Sequence, residues 1–159
     1  MTTTNSPSVT VTIPPKITGA NRKAAKAGVT AWRNAMHTFD LSLQDPAGKN
    51  WKTAIYRYAN DPAAALQLNL VETFARQKIH QVGFLRYEAT VIKAAKNNVQ
   101  IRACVDDRAV DVIDASGHSA SGSSAKRFLW TFNVTWYAKV RGGQWLLNYI
   151  TKPDPAKPC

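Results

Sequence analysis

From residue 21 to 43 the apolar positions recur at alternating steps of four and three: Ala25, Val29, Trp32, Met36, Phe39 and Leu43. That interval marks one face of a helix. Lys23, Lys26, Thr30, Arg33, His37 and Gln44 fall elsewhere on its circumference. Asp45-Pro46-Ala47-Gly48 ends the helix. A short second helix is expected to carry Trp51, Ile55 and Tyr58 on one side. At Asn60-Asp61-Pro62 a capping side chain and an early proline restart the pattern. The third helix then runs to about Lys78 with Leu66, Leu70 and Phe74 facing inward.

Beyond Ile79 the period becomes two. Val82, Phe84, Arg86, Glu88 and Thr90 alternate with Leu85, Tyr87, Ala89 and Val91, which predicts a long strand. Lys96-Asn97-Asn98 is turn chemistry, and a half-buried strand follows over 99–106. A brief apolar piece over 110–113 leads into a Ser/Gly-rich loop over 114–125. Phe128, Trp130, Phe132, Val134, Trp136, Ala138 and Val140 form the longest alternation. Gly142-Gly143 signals a tight hairpin, with Trp145, Leu147 and Tyr149 on the returning strand. Helices followed by an antiparallel meander describe an α+β domain, its helices gathered on one face of a curved sheet of about four long strands.

Residues 1–20 are rich in Thr, Ser and Pro, with too little apolar surface to offset chain entropy. They are expected to form a flexible tether, although the alternation of Val9, Val11 and Ile13 also permits an added strand. Such a tether is either a native cytosolic tail or the remnant of a segment whose export signal and lipid-bearing cysteine are gone. The domain is expected over 21–152, followed by a proline-rich tail over 153–159.

The 159 residues, 45% of them hydrophobic, are enough for one packed domain. No apolar run approaches the roughly 20 residues of a membrane-spanning helix. The formal charge of +11 favours anionic partners such as phospholipid headgroups, wall polymers or nucleic acid. Arg22, Lys23 and Lys26 could contact phosphates, and Arg86, Lys93, Lys96 and Arg102 could line an outer sheet face. The positive residues are nonetheless scattered, without the aromatic interleaving of single-strand binders, so a membrane or wall surface ranks above nucleic acid.

The sequence has no glycine-rich phosphate loop, no His-Glu-x-x-His, no Cys-x-x-Cys and no Gly-x-Ser-x-Gly. His37, His80 and His118 occupy three different elements with no ligand spacing. No metal and no cofactor is expected.

Three helices and then four strands, closed by Gly142-Gly143-Gln144-Trp145-Leu146-Leu147, resemble the cone-shaped fold of nuclear transport factor 2 and ketosteroid isomerase. Within that frame an ordered series stands out. It comprises Cys104-Val105-Asp106-Asp107, Val112-Ile113-Asp114-Ala115-Ser116-Gly117, a polar loop, a basic residue opening a long strand, Gly-Gly-Gln-Trp and the terminal Cys159. That series is similar to secreted proteins and lipoproteins of actinobacteria and of their phages, except that Asp107-Arg108 stands in place of a small hydroxyl residue. The resemblance spans 21–159 and implies a fold and a compartment rather than an activity. The compartment implied is extracytoplasmic, with a membrane tether through a lipidated N-terminus not present in this chain.

Cys104 lies near the end of the meander from which the proline-extended tail leaves, so a Cys104–Cys159 disulfide is expected in an oxidising compartment. Two free thiols are the competing reading. The work implied is non-catalytic: binding a partner protein or an apolar ligand at the cell envelope, as a monomer or as a homodimer through the sheet. If phage-encoded, such a domain could act in excluding other phages. The alternative is a pocket enzyme of the isomerase or dehydratase kind, and a nucleic-acid-binding module comes third. Enzymes of this fold pair an acid or histidine base with a tyrosine donor. Asp40, one turn from His37, is then the candidate base, with Tyr56, Tyr58 and Tyr87 as donors, although His37 and Asp40 also read as a solvated surface pair. Trp32, Met36, Tyr56, Tyr87, Trp130 and Trp136 are the candidate pocket lining; the tryptophans read equally as core.

Overall fold

The computed structural model describes residues 8–120 and 126–159. In chain order it contains β1 (Val9–Thr12), α1 (Gly19–Gln44), α2 (Lys52–Tyr58), α3 (Ala63–Gln77), β2 (His80–Val82), β3 (Arg86–Ala95), β4 (Asn98–Asp106), β5 (Asp111–Ile113), β6 (Arg127–Tyr137) and β7 (Gln144–Thr151). Five strands form one sheet in the order β1-β3-β4-β6-β7, while β2 and β5 pair separately. The α+β class holds.

The helix face read from 25 to 43 is the buried one: Ala25, Val29, Trp32, Met36, Phe39 and Leu43 all sit in the core. They pack on the inward side chains of the sheet, among them Tyr87, Ala89, Val91, Val99, Ile101, Phe132, Val134 and Leu147. At Gly28 the helix runs so close to β4 that an added Cβ would lie 2.8 Å from Val99 Cβ. Glycine costs about 1 kcal/mol of helix propensity there, and the close approach of helix to sheet requires it.

Four expectations are corrected. First, the segment read as a tether is structured from residue 8 onward. Val9–Thr12 pairs in parallel with Tyr87–Thr90 of β3, and Val9, Val11 and Ile13 pack against the core. A strand therefore precedes the helices, and the helical half is the crossover that any parallel pair requires. Residues 1–7 of the expected tether, and 121–125 of the expected Ser/Gly loop, lie outside the described residues.

Second, α3 is rotated from its expected phase. Ala63, Ala64, Gln67 and Val71 face inward, whereas Leu66 and Leu70 are 48% and 37% exposed. Small residues let α3 lie close to its neighbours, so the bulkiest side chains do not mark the buried face. Third, the strand expected over 82–91 breaks at Gly83, which has a positive φ of 86°. The three residues before it turn away to pair with Asp111–Ile113. Fourth, the last hairpin is not a two-residue turn. β6 stops at Tyr137, and Arg141, Gly142 and Gly143, all with positive φ, shape a longer connection to Gln144.

The tail beyond β7 rejoins the sheet. Leu129 N–H donates to the Lys157 carbonyl at 2.8 Å, and Cys159 N–H to that of Arg127 at 3.4 Å. Cys159 is there bonded to Cys104, the two Cα atoms 5.9 Å apart. No helix among the described residues is long and apolar enough to cross a membrane.

Candidate functional site

Between α1 and the β1–β3 edge of the sheet lies a cavity of about 330 Å³. Trp32, Met36 and Asp40 line it from α1, Tyr87 from β3 and Val9 from β1, with Arg33, Asn34 and His37 at its mouth. Successive helical turns bring Trp32, Met36 and Asp40 to one side, because residues four apart stack above one another. Tyr87 meets Trp32 edge to face at 5.4 Å, and Trp32 meets Phe132 in the same manner at 5.5 Å.

Polar atoms in this apolar setting are the cavity's chief feature. Trp32 Nε1, the Tyr87 hydroxyl and Asp40 Oδ2 are all buried without a hydrogen-bond partner among the described residues. Leaving such a group unpaired costs about 1–3 kcal/mol each, and all three belong to residues that line this one cavity. Asp40 Oδ1 is held by Gln81, whose amide nitrogen donates to it at 2.8 Å and to the Gly83 carbonyl at 2.9 Å. Gln44 donates to that same carbonyl at 3.0 Å, which fixes the break after β2 against α1. Burial pushes the Asp40 carboxyl up to about 7, opposed by the Gln81 hydrogen bond and, more weakly, by the backbone N–H of Leu85. Burial is also the main reason that the Tyr87 phenol stands well above its ordinary range, with the Asp40 charge adding to it.

Asp40 is therefore no surface residue, and no hydrogen bond or ion pair joins it to His37. The His37 ring is exposed and stacks on Phe84 at 5.9 Å. The structure brings Trp32, Met36, Tyr87 and Asp40 together. Tyr56 lies apart on α2, its hydroxyl donating to Asp61 at 2.7 Å, and Tyr58 carries Arg57 over its ring. Trp136 sits at the far hairpin against Trp145, and Trp130 lines a second groove beyond Met36. Sequence reasoning missed Gln81, for nothing local marks a glutamine on a short strand as the partner of an acid 41 positions away. Among the described residues no three His, Cys, Asp or Glu side chains converge as metal ligands would.

On the outer sheet face a different polar cluster surrounds the disulfide. Asp106 accepts from Arg108 through both carboxylate oxygens at 2.9 and 2.8 Å, and Arg127 reaches toward Asp106 and Glu88. The Arg108 hydrogen bonds hold the Asp106 carboxyl down at about 2. Arg86, Lys93 and Arg102 are exposed.

No family model matches the sequence, and no curated protein matches it. Among solved structures, the chain is similar to the intermembrane space region of chloroplast protein ARC6. The TM-score is 0.60 at 7% identity, covering 85% of this chain and 97% of that one. A de novo designed beta-sheet protein solved by NMR gives a looser likeness, with TM-score 0.40 and 10% identity over 84% of this chain and 90% of that one. The first likeness concerns the fold alone.

Proposed function

We propose that this chain is an extracytoplasmic domain of the nuclear transport factor 2-like type whose cavity binds a small, largely apolar molecule bearing a hydrogen-bond acceptor. The observation that carries this reading is that Trp32, Tyr87 and Asp40 line one cavity while Trp32 Nε1, the Tyr87 hydroxyl and Asp40 Oδ2 are buried with no hydrogen-bond partner among the described residues. A cavity of some 300–1,000 Å³, mostly apolar with a few converging polar groups, is the usual form of a small-molecule site. The two donors suit a carbonyl oxygen of the ligand, and the apolar walls suit a cyclic or branched body. The Cys104–Cys159 disulfide supports an oxidising compartment, and the charge of +11 supports residence near an anionic envelope surface.

The test is a titration with cyclic ketones, followed through the indole N–H resonance of Trp32. A saturable shift is expected for at least one ketone, with affinity falling about tenfold in Tyr87→Phe as one buried hydrogen bond is lost. No shift with any ketone, or equal binding by Tyr87→Phe, would overturn the proposal.

One observation favours a second reading, the pocket enzyme. An acid with a pKa of about 7 is poised to take and return a proton at neutral pH. In this reading Asp40 removes a proton from the carbon beside the ligand carbonyl. The C–H electron pair moves into the new C=C bond and the carbonyl π pair onto oxygen, where Tyr87 and Trp32 stabilise the enolate. Exchange of that proton for deuterium in D₂O, lost in Asp40→Asn, would establish the enzyme. Binding without exchange would leave the non-catalytic reading.

A further inference from the structure

A second cavity, of about 190 Å³, opens on the far side of Met36. Met36 and Phe39 of α1 form its floor, Leu66 and Leu70 of α3 one wall, and Trp130 and Ile150 of β6 and β7 the other. The rotation of α3 creates this groove. By turning Ala63, Ala64, Gln67 and Val71 to the core, it leaves two leucines four residues apart, both partly in solvent, facing the sheet.

Lys152 supplies the charge that belongs to the groove. Its ammonium sits 4.3 Å from the centroid of the Trp130 ring, and no carboxylate among the described residues pairs with it. Lys152 is exposed, with partial desolvation lowering its pKa, so its ammonium is open to an anion beside the indole face. Beside it Gln67 is buried in the lining, its amide nitrogen donating to the Met36 sulfur at 3.9 Å.

We propose that this groove is a second ligand site, taking a free aliphatic monocarboxylate of medium chain length. The carboxylate pairs with Lys152 and the chain lies between Phe39, Leu66, Leu70 and Ile150. Among the described residues the groove is lined by one unpaired cation, which matches one negative charge, and by no arginine fork for a phosphate. At about 30 Å³ for each water-sized group, 190 Å³ holds a chain of about six heavy atoms. The groove shares Met36 alone with the Asp40–Tyr87 cavity, and either site can bind its ligand without the other.

The test is calorimetric titration of the full, disulfide-bonded chain with butanoate, hexanoate, octanoate and decanoate and with the matching alcohols, all below micelle formation. Affinity is expected to rise about fourfold for each added methylene until the groove is full, then to level off. Each acid should bind at least tenfold tighter than its alcohol. Lys152→Gln should erase the difference between acid and alcohol while keeping the dependence on chain length. Leu70→Asp, at a partly exposed position and with fold checked by circular dichroism, should erase the dependence on chain length. Tyr87→Phe should change neither. The proposal is overturned by absence of saturable binding, by equal affinity for acid and alcohol, by a Lys152→Gln variant that still prefers acids, or by loss of binding in Tyr87→Phe. The last result would place the acid in the first cavity.

Discussion

Asp40 shows how one residue's environment outweighs its identity. Its carboxyl has a pKa of about 7 in the folded chain against the ordinary 3.8 of an unfolded one. Between those values the folded state keeps a proton that the unfolded state releases, so this residue's contribution to stability is fully present below pH 3.8. It is lost as the pH rises to about 7. Asp40→Asn retains an oxygen for the Gln81 hydrogen bond and cannot ionise. Its stability relative to the wild type should therefore increase between pH 4.5 and 8, by no more than about 4 kcal/mol. Denaturant unfolding at the two pH values measures this, and a difference that does not vary with pH would contradict the burial described. Periodicity left this burial open, and packing decided it. Measured from His37, Asp40 falls off the stripe; measured from Met36, it lies only about 40° away, and four residues on from a core position.

At the level of strands and helices, β1 is where composition misled. Thr, Ser and Pro surround Val9, Val11 and Ile13, yet strand pairing needs only alternate apolar positions and a free edge to join. Tyr87–Thr90 of β3 provides that edge. Removing residues 1–13 should lower stability by roughly 3 kcal/mol, at about 1 kcal/mol for each of three half-buried side chains. A melting temperature unchanged by that truncation would mean the strand does not pack. The phase of α3 failed for a related reason. Hydrophobic size points inward only where the neighbour leaves room, and the close packing of α3 admits alanine.

For the molecule as a whole, the long-range tie is the disulfide. Cys104 and Cys159 are 55 positions apart, and closing that loop should stabilise the fold by roughly 4 kcal/mol in the chain-entropy treatment. Unfolding with and without reductant should show that difference, and the Cys104→Ser/Cys159→Ser pair should be insensitive to reductant. Equal stability in both conditions would mean that the tail is held by its backbone bonds to Arg127 and Leu129 alone.

The α1 stripe, the alternation of the long strands and the pairing of the two cysteines could all be read along the chain. Each rests on spacing within one element, or on the only partner available. The cavity could not. Trp32 and Asp40 come from α1, Tyr87 from β3, Gln81 from a strand before the Gly83 break, and Val9 from a segment that composition marks as a tether. Local periodicity places a side chain on a face. Only the packing of those faces decides whether a carboxyl meets water, at its ordinary pKa, or an indole, a phenol and an amide at one near 7. The second groove depends on packing in the same way, because the rotation of α3 is set by how closely it can lie against its neighbours.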